Sequence, residues 1–134
     1  MKKLLILPII FLSLMMASVV HAKWTEVGKS VVDGDTFYVD LERIKKHSGK
    51  VYYWQLGDFL KPTETGVFSS KIYNEAECGR FRNRILNSTL YKGSMASGEV
   101  FHSNNTPEKN WTYPSPNSMN EATLKAVCNH KSMQ

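Results

Sequence analysis

The sequence predicts an α+β fold in which a single antiparallel sheet carries one C-terminal helix on one of its faces. Six short segments alternate apolar and polar residues in the manner of strands. Near the C-terminus, apolar side chains recur at helical spacing between residues 118 and 130. Two cysteines, Cys78 and Cys128, lie on the apolar side of a predicted strand and of this helix. A bond between them would fasten the helix to the sheet.

The strands are placed by alternation and by the turn residues between them. The run from Arg80 contains Ile85 and Leu86 in succession, which predicts a bulge there. Asp40 is expected to cap one helical turn, Leu41–Ile44, which Ser48-Gly49 closes. The segment Lys92–Gly98, rich in glycine and serine, is predicted to be a loop. The predicted strands are Trp24–Val32, Thr36–Val39, Val51–Phe59, Val67–Cys78, Arg80–Tyr91 and Glu99–His102.

The predicted helix spans Ser118–His130. Ser118 and Glu121 have the spacing of a capping box, in which each side chain satisfies a free backbone N–H group of the first turn. Leu124, Val127 and Cys128 recur at the spacing of one helix face. The helix is therefore expected to pack that face on the sheet.

The first 22 residues have the pattern of a secretory signal peptide. Lys2 and Lys3 precede an apolar run, Leu4–Val20, and a small residue, Ala22, stands before the expected cut. A membrane anchor is the alternative, because the run has roughly enough residues to span a bilayer. No cysteine lies near the cut, so no lipid anchor is expected. The mature chain would be one domain, residues 23–134, in the periplasm or at the cell surface, with no transmembrane segment after processing.

Cys78 and Cys128 are expected to form a disulfide, because an exported domain meets oxidising conditions. Zinc binding is the weaker alternative, since it would need a Cys-x-x-Cys pair that the sequence lacks. A catalytic thiol would leave the second cysteine unexplained. Loss of the signal peptide lowers the formal net charge from +5 to +3. This charge is modest for a nucleic-acid-binding protein, so no specific nucleic acid is expected as a partner.

The segment Asp33-Gly34-Asp35 has two interpretations. It resembles the calcium-binding segment of thermonuclease-like nucleases, which also need arginines and a carboxylate base. The strand that follows offers Asp58 alone and no arginine before it. Asp-Gly is also a frequent hairpin signal, and the hairpin is the favoured interpretation. No catalytic motif surrounds the histidines, so the sequence predicts no enzyme, no metal and no cofactor, with a small secreted nuclease as the less favoured alternative.

A row of arginines is the best binding candidate. Arg80, Arg82 and Arg84 alternate along one predicted strand face, and Lys71 lies on the preceding strand. Such a row could bind an acidic protein, an anionic polymer such as a glycan, or lipid head groups. The alternative is a solvated face that protects the sheet from edge aggregation. The many aromatic residues on the strands are expected to pack in the core, and a platform on which sugars stack is the less favoured alternative.

Four features, in this order, resemble the surface-adhesin protein E family of Gram-negative bacteria. The first is Phe37-Tyr38-Val39-Asp40 with the turn that follows, and the second is an arginine-containing strand that opens at Cys78 and ends at Tyr91. The loop Lys92–Gly98 comes next. The last is Cys128, which ends a helix after the segment Trp111–Ser118.

The resemblance implies a sheet of about six antiparallel strands with a helix fastened by the disulfide. It also implies an envelope location and binding of host matrix or serum proteins through the basic segment that flanks the first cysteine, here Lys71–Arg84. Some members form dimers, so a homodimer is an expectation. We therefore expect an exported, adhesin-like binding module without catalysis. A soluble periplasmic protein with a structural or small-ligand-binding role is the alternative. The adhesin prototype is lipidated, whereas this signal peptide lacks the cysteine that a lipid anchor needs.

Overall fold

The computed structural model describes residues 22–131 and contains a seven-stranded antiparallel sheet and one α-helix. The export signal predicted for residues 1–22 lies, apart from Ala22, outside the described residues. Between residues 22 and 131, no helix is long and apolar enough to cross a membrane. The strands are β1 Thr25–Lys29, β2 Thr36–Val39, β3 Lys45–His47, β4 Lys50–Asp58, β5 Ser69–Glu77, β6 Arg82–Tyr91 and β7 Val100–Asn104, and the helix is α1 Met119–Cys128.

The sheet runs in the order β1-β2-β4-β5-β6-β7, and β3 pairs with β4 beside β2. Every pairing is antiparallel. Consecutive strands are therefore joined mostly as hairpins, as short turn-rich connections favour. The predicted fold class is confirmed, with one more strand than the sequence indicated.

The loop of the β1–β2 hairpin is longer than predicted, because β1 ends at Lys29 and not at Val32. The backbone N–H of Ser30 donates to the carbonyl of Asp35 at 2.8 Å, which closes the loop before the two valines can extend the strand. Val31 is 99% exposed at the tip of this loop. The hairpin interpretation of the Asp-Gly signal is confirmed.

The β3–β4 hairpin replaces part of the helical turn that the sequence predicts. A 3₁₀ turn spans only Leu41–Arg43, and β3 begins two residues later. Ser48 and Gly49 have φ values of 51° and 76°, the left-handed pair that a two-residue type I′ hairpin turn requires. Asp40 occupies the N-cap position of this turn, as predicted, but its side chain makes no capping hydrogen bond.

A bulge divides β6 where the sequence predicts it. Tyr73 pairs with Asn87, whereas Asn74 pairs with Ile85, so Leu86 is the additional residue. In a regular strand, one extra residue would turn all later side chains to the opposite face. The bulge absorbs that residue, so both halves of β6 stay paired with β5. Arg82 and Arg84 lie in the half of β6 that precedes the bulge.

Helix α1 begins at a capped serine. Ser118 Oγ accepts a hydrogen bond from the backbone N–H of Glu121 at 3.1 Å. The carboxylate of Glu121 accepts from the backbone N–H of Asn117 at 3.3 Å, one residue earlier than a standard capping box requires. Both interactions satisfy N–H groups near the start of the helix, so the predicted cap is confirmed with this shift.

The hydrophobic core lies between α1 and one face of the sheet, which we call the helix face. Leu124 and Val127 of the helix are fully buried against Val39, Val51, Tyr53 and Ala76 of the strands. The disulfide between Cys78 and Cys128, with Cα atoms 5.7 Å apart, borders this core and links β5 to the end of α1. Within residues 22–131, no helix lies on the opposite side of the sheet, which we call the helix-free face.

Candidate binding surface

Aromatic residues stack on the helix-free face. Trp54 of β4 and Tyr73 of β5 are cross-strand partners, and their rings stack with centroids 4.6 Å apart. Tyr52 lies on the other side of Tyr73, at 6.2 Å between centroids. The prediction that these aromatics pack in the core was wrong for all three, since each is only half-buried. Strand alternation turns Tyr53, between Tyr52 and Trp54, into the core instead.

Two arginines of β6 pair with two glutamates of β5. The strand register places Arg84 opposite Glu75 and Arg82 opposite Glu77. The side-chain nitrogen–oxygen distances are 2.8 Å for Arg84–Glu75 and 3.1 Å for Arg82–Glu77. Neither guanidinium is therefore simply solvated, as the alternative interpretation of this row expected.

Arg80 is separated from the other two arginines. The prediction that the strand begins at Arg80 was wrong, because β6 begins at Arg82 and Phe81 has a φ of 50°. The positive φ belongs to the turn between β5 and β6, so Arg80 does not continue the alternating row. Its side chain is 69% exposed and lies 3.7 Å from Glu77.

Trp111 supports the two strand arginines. The guanidinium carbons of Arg82 and Arg84 lie 4.4 Å and 4.5 Å from its ring centroid, the geometry of a cation–π interaction. Lys50 Nζ is 5.7 Å from the same ring. Trp111 reaches this position because Asn83 and Thr112 exchange two backbone hydrogen bonds, which hold the loop beside β6.

Lys71 differs from these cations because it forms no ion pair with any described residue. Its ammonium lies 4.5 Å from the ring centroid of Trp54. Burial lowers its pKa from the ordinary value, and the positive charge of nearby Arg43 lowers it further, while Asp40 opposes the shift. The carboxylate of Asp40 already accepts a hydrogen bond from Arg43 at 2.6 Å. Lys71 thus lies beside an aromatic ring and forms no ion pair in the described chain, although the charge of Asp40 acts on it from a longer distance.

Glu75 is the buried acid of this surface. Its side chain is 4% exposed, and it also lies 3.2 Å from Lys50. Burial by itself would raise the pKa of this carboxyl, but hydrogen bonds from Arg84 and Lys50 outweigh burial, so the pKa is lowered. Hydrogen bonding to Arg82 lowers the pKa of Glu77 as well. Both carboxylates stay ionised at neutral pH and hold the arginines in place.

These carboxylates predict a loss of stability in acid. A carboxyl whose pKa is lower in the folded than in the unfolded chain stabilises the fold above the unfolded value, and this contribution disappears as pH falls through the folded value. We therefore expect the free energy of unfolding to be constant near neutral pH and to fall as the pH drops below the ordinary glutamate value of 4.5. Urea denaturation at several pH values between 7 and 3 measures this, and a constant midpoint across that range would contradict it.

The Asp33-Gly34-Asp35 segment uses its carboxylates locally. Asp33 accepts a hydrogen bond from the backbone N–H of Asp35 at 3.1 Å, and Asp35 accepts from that of Leu60 at 2.9 Å. Both bonds stabilise the hairpin and its contact with the loop after β4. Within residues 22–131, no three histidine, cysteine or acidic side chains are grouped in a way that could hold a metal ion.

The structure brings together three of the four predicted binding residues. Lys71, Arg82 and Arg84 lie on the helix-free face, whereas Arg80 lies in the adjoining turn. Sequence reasoning missed Trp111, Glu75 and Glu77 as members of this surface. The strand alternation indicated the face of both glutamates, but the pairing partners depend on the β5–β6 register.

Fold and surface together define a small α+β domain with a disulfide-fastened helix and a sheet face on which cations lie over aromatic rings. The family model for surface-adhesin protein E matches residues 24–129. The chain belongs to this family of surface adhesins, as the sequence resemblance predicted.

Solved structures of Haemophilus influenzae protein E have the same fold. Crystal form II has a TM-score of 0.59 at 14% sequence identity, with 81% of this chain and 89% of that chain covered. The selenomethionine form has a TM-score of 0.59 at 14% identity, with coverage of 84% and 92%. A third structure of protein E has a TM-score of 0.57 at 14% identity, with coverage of 84% and 89%. No curated protein matches the chain significantly.

Proposed function

We propose that this protein is an exported, adhesin-like binding module that binds an acidic protein through its helix-free face. The observation that carries the proposal is the ammonium of Lys71, which lies over the ring of Trp54, itself stacked on Tyr73, and forms no ion pair with a described residue. A carboxylate of a partner could approach this ammonium while an apolar side chain contacts the rings. Membership of a surface-adhesin family supports a binding role of this kind.

The charges at one end of the surface favour an acidic partner. At the end where Trp111 lies, strand pairing and alternation place four cations against two carboxylates, with Arg80 in the adjoining turn. The cations are Lys45, Lys50, Arg82 and Arg84, and the carboxylates are Glu75 and Glu77. Three further carboxylates, those of Glu26, Asp40 and Asp58, lie on the same face toward the end that carries Lys71. A local surplus of cations steers an acidic surface toward that end of the sheet where Trp111 lies and raises the association rate.

The aromatic rings favour a protein over a polymer that carries only charge. Tyrosine, tryptophan and arginine are enriched at the centres of protein interfaces, since they supply apolar area together with polar groups. Here Trp54, Tyr73 and Trp111 provide that area, and Arg82 and Arg84 are already held by their ion pairs. Little side-chain entropy would be lost when a partner covers these arginines.

Charge reversal at Lys71 tests the proposal. The mature domain is immobilised, and purified extracellular-matrix and serum proteins are passed over it at low and at physiological salt. We expect binding that weakens with salt and that falls about tenfold, or ~1.4 kcal/mol, in Lys71→Glu. The matched control is Lys131→Glu, which changes the net charge equally at an exposed position beyond the end of α1.

Two results would contradict the proposal. Equal losses in Lys71→Glu and Lys131→Glu would show that net charge alone matters. Tighter binding of a sulfated polysaccharide than of any protein in the panel would replace the protein partner with a polymer. The family resemblance predicts that the mature domain forms a homodimer. Analytical sedimentation measures its oligomeric state, which is needed to interpret the binding stoichiometry.

The location of the protein follows from the same proposal. We expect the exported form to begin at Lys23, after cleavage behind Ala22, and to be exposed at the cell surface. Mass spectrometry of the exported protein measures its N-terminus. Protease treatment of intact cells then separates surface exposure, in which the protein is degraded, from the soluble periplasmic alternative, in which it is protected.

A further inference from the structure

A second feature lies on the helix face, on the opposite side of the sheet from the proposed binding surface. A cleft of about 380 Å³ opens between the sheet, the first turn of α1 and the loop that runs beside β6. Its volume falls within the range of small-molecule sites, roughly 300–1,000 Å³. Side-chain amides and a threonine supply its polar lining, and we call it the amide cleft: Gln55, Asn74, Asn83, Thr112 and Asn120.

The inner part of the amide cleft is a network of neutral side chains. Asn83 and Asn120 exchange two amide hydrogen bonds, both of 3.1 Å, across the sheet–helix boundary. Asn83 also donates to the hydroxyl of the buried Tyr53 at 3.4 Å. Asn74 is 1% exposed, and its Nδ2 donor has no hydrogen-bond partner in the described residues. An unpaired buried donor opposes folding, so a contribution to stability does not explain why this donor is present at position 74.

The outer part of the cleft offers groups that are free to bind a ligand. The carboxamide of Gln55 and the hydroxyl of Thr112 line the cleft, and neither side chain makes a hydrogen bond within residues 22–131. Phe37 and Met119 add apolar surface to the same lining. Donors, acceptors and apolar atoms are thus combined in one small space.

Anionic ligands do not suit this cleft. Arg84 contributes to its wall, but its guanidinium is engaged by Glu75 and Trp111 on the opposite face of the sheet. The other charged residue of the lining, Glu108, is itself an acid, and its carboxylate accepts a hydrogen bond from the backbone N–H of Ile85 at 3.3 Å. A buried anion would therefore find no free cation in the cleft and would lose its hydration without compensation.

We propose that the amide cleft is a binding site for a neutral saccharide. Sugar hydroxyls both donate and accept hydrogen bonds, as carboxamides do, so a sugar can satisfy Gln55 and Thr112 together. The C–H face of a sugar ring matches the apolar surface of Phe37 and Met119. Rotation of the Asn74 amide toward the bound sugar would pair its donor. This site goes beyond the protein-binding role proposed above, because it lies on the other face of the sheet.

Titration of the ¹⁵N-labelled mature domain with N-acetylglucosamine tests the site, because asparagine and glutamine side-chain NH₂ groups give their own NMR signals. We expect saturable shifts of the Gln55 and Asn74 side-chain signals, while the indole signal of Trp54 on the helix-free face stays unchanged. N-acetylneuraminic acid serves as the charged comparison and should bind more weakly. Absence of shifts with the neutral sugar, or shifts confined to the helix-free face, would overturn the proposal.

Two near-isosteric variants support this test, because the shape of the cleft is kept while hydrogen-bonding groups are removed. Gln55→Leu and Thr112→Val should each weaken sugar binding about fivefold, the effect of losing one hydrogen bond. Lys71→Glu should leave sugar binding unchanged, so failure of the protein-binding proposal and failure of this one are distinguishable. Unchanged affinity in both cleft variants would overturn the assignment of the site.

Discussion

The mature domain that carries Cys78→Ala and Cys128→Ala is expected to be about 4 kcal/mol less stable than the disulfide-bonded protein. The bond joins residues separated by 50 positions, and cross-linking a loop of this length removes much of the conformational freedom of the unfolded chain. A typical domain is stable by only about 5–15 kcal/mol. The bond therefore supplies a large part of the difference between the folded and the unfolded chain.

Thermal unfolding measures this effect, which corresponds to a transition roughly 15–20 °C lower for a domain of this size. A reductant provides the matched control, because it should lower the transition of the wild-type protein to the level of the double variant and leave the variant itself unchanged. Equal stability of the oxidised wild type and the double variant would contradict the prediction.

The position of the bond suggests which part of the structure loosens first. Cys128 ends α1, whose remaining contact with the sheet depends on Leu124 and Val127. The strands are held to one another by continuous backbone pairing, which does not need the helix. We expect hydrogen exchange in the variant to accelerate most in α1, since the helix loses its covalent link while β4 and β5 keep their ladder.

The sequence predicted those parts of the fold that depend on local alternation. The arginines at 82 and 84 were placed on one face correctly, because a strand has a period of two whatever its partners are. The bulge at Leu86 was predicted because two apolar residues in succession break that period. The disulfide was predicted because an exported domain with two cysteines meets oxidising conditions, and the bond is present.

The sequence did not indicate contacts that depend on register or on loops. β3 is a short charged segment, Lys45–His47, with no apolar alternation, and only the Ser48-Gly49 pair signalled its turn. Trp111 belongs to a loop, and its place under the arginines depends on two backbone hydrogen bonds between Asn83 and Thr112. Burial was also misjudged for Trp54 and Tyr73, because alternation identifies a face but does not say which face the helix covers.

Glu75→Leu is expected to lower the free energy of unfolding by about 3 kcal/mol. The carboxylate is 4% exposed and binds both Arg84 and Lys50, so its removal leaves two cations without their acid. The cost lies at the lower end of the range for breaking a buried ion pair, since both cations retain some access to water. Urea denaturation of the mature domain at neutral pH measures it.

Glu77→Leu is the matched control for this variant. Glu77 follows Glu75 by two residues in β5, so it lies on the same face of the sheet. It also pairs with arginines, but its side chain is 21% exposed. Pairs that remain accessible to water contribute little, so this substitution should cost much less than Glu75→Leu. Equal losses in the two variants would contradict the assignment of Glu75 as the buried acid of the surface.

A double-mutant cycle separates loss of the pair from loss of packing. Arg84→Met alone leaves Glu75 with Lys50 as its remaining partner, whereas Glu75→Leu with Arg84→Met leaves an apolar cross-strand pair. Because replacing both members of a buried ion pair is far less costly than breaking it, the double variant should be more stable than the sum of the single losses predicts, by about 1 kcal/mol or more. Strict additivity would mean that the arginine contributes through its contact with Trp111 and not through Glu75, and the ion pair would then have no part in holding the binding surface.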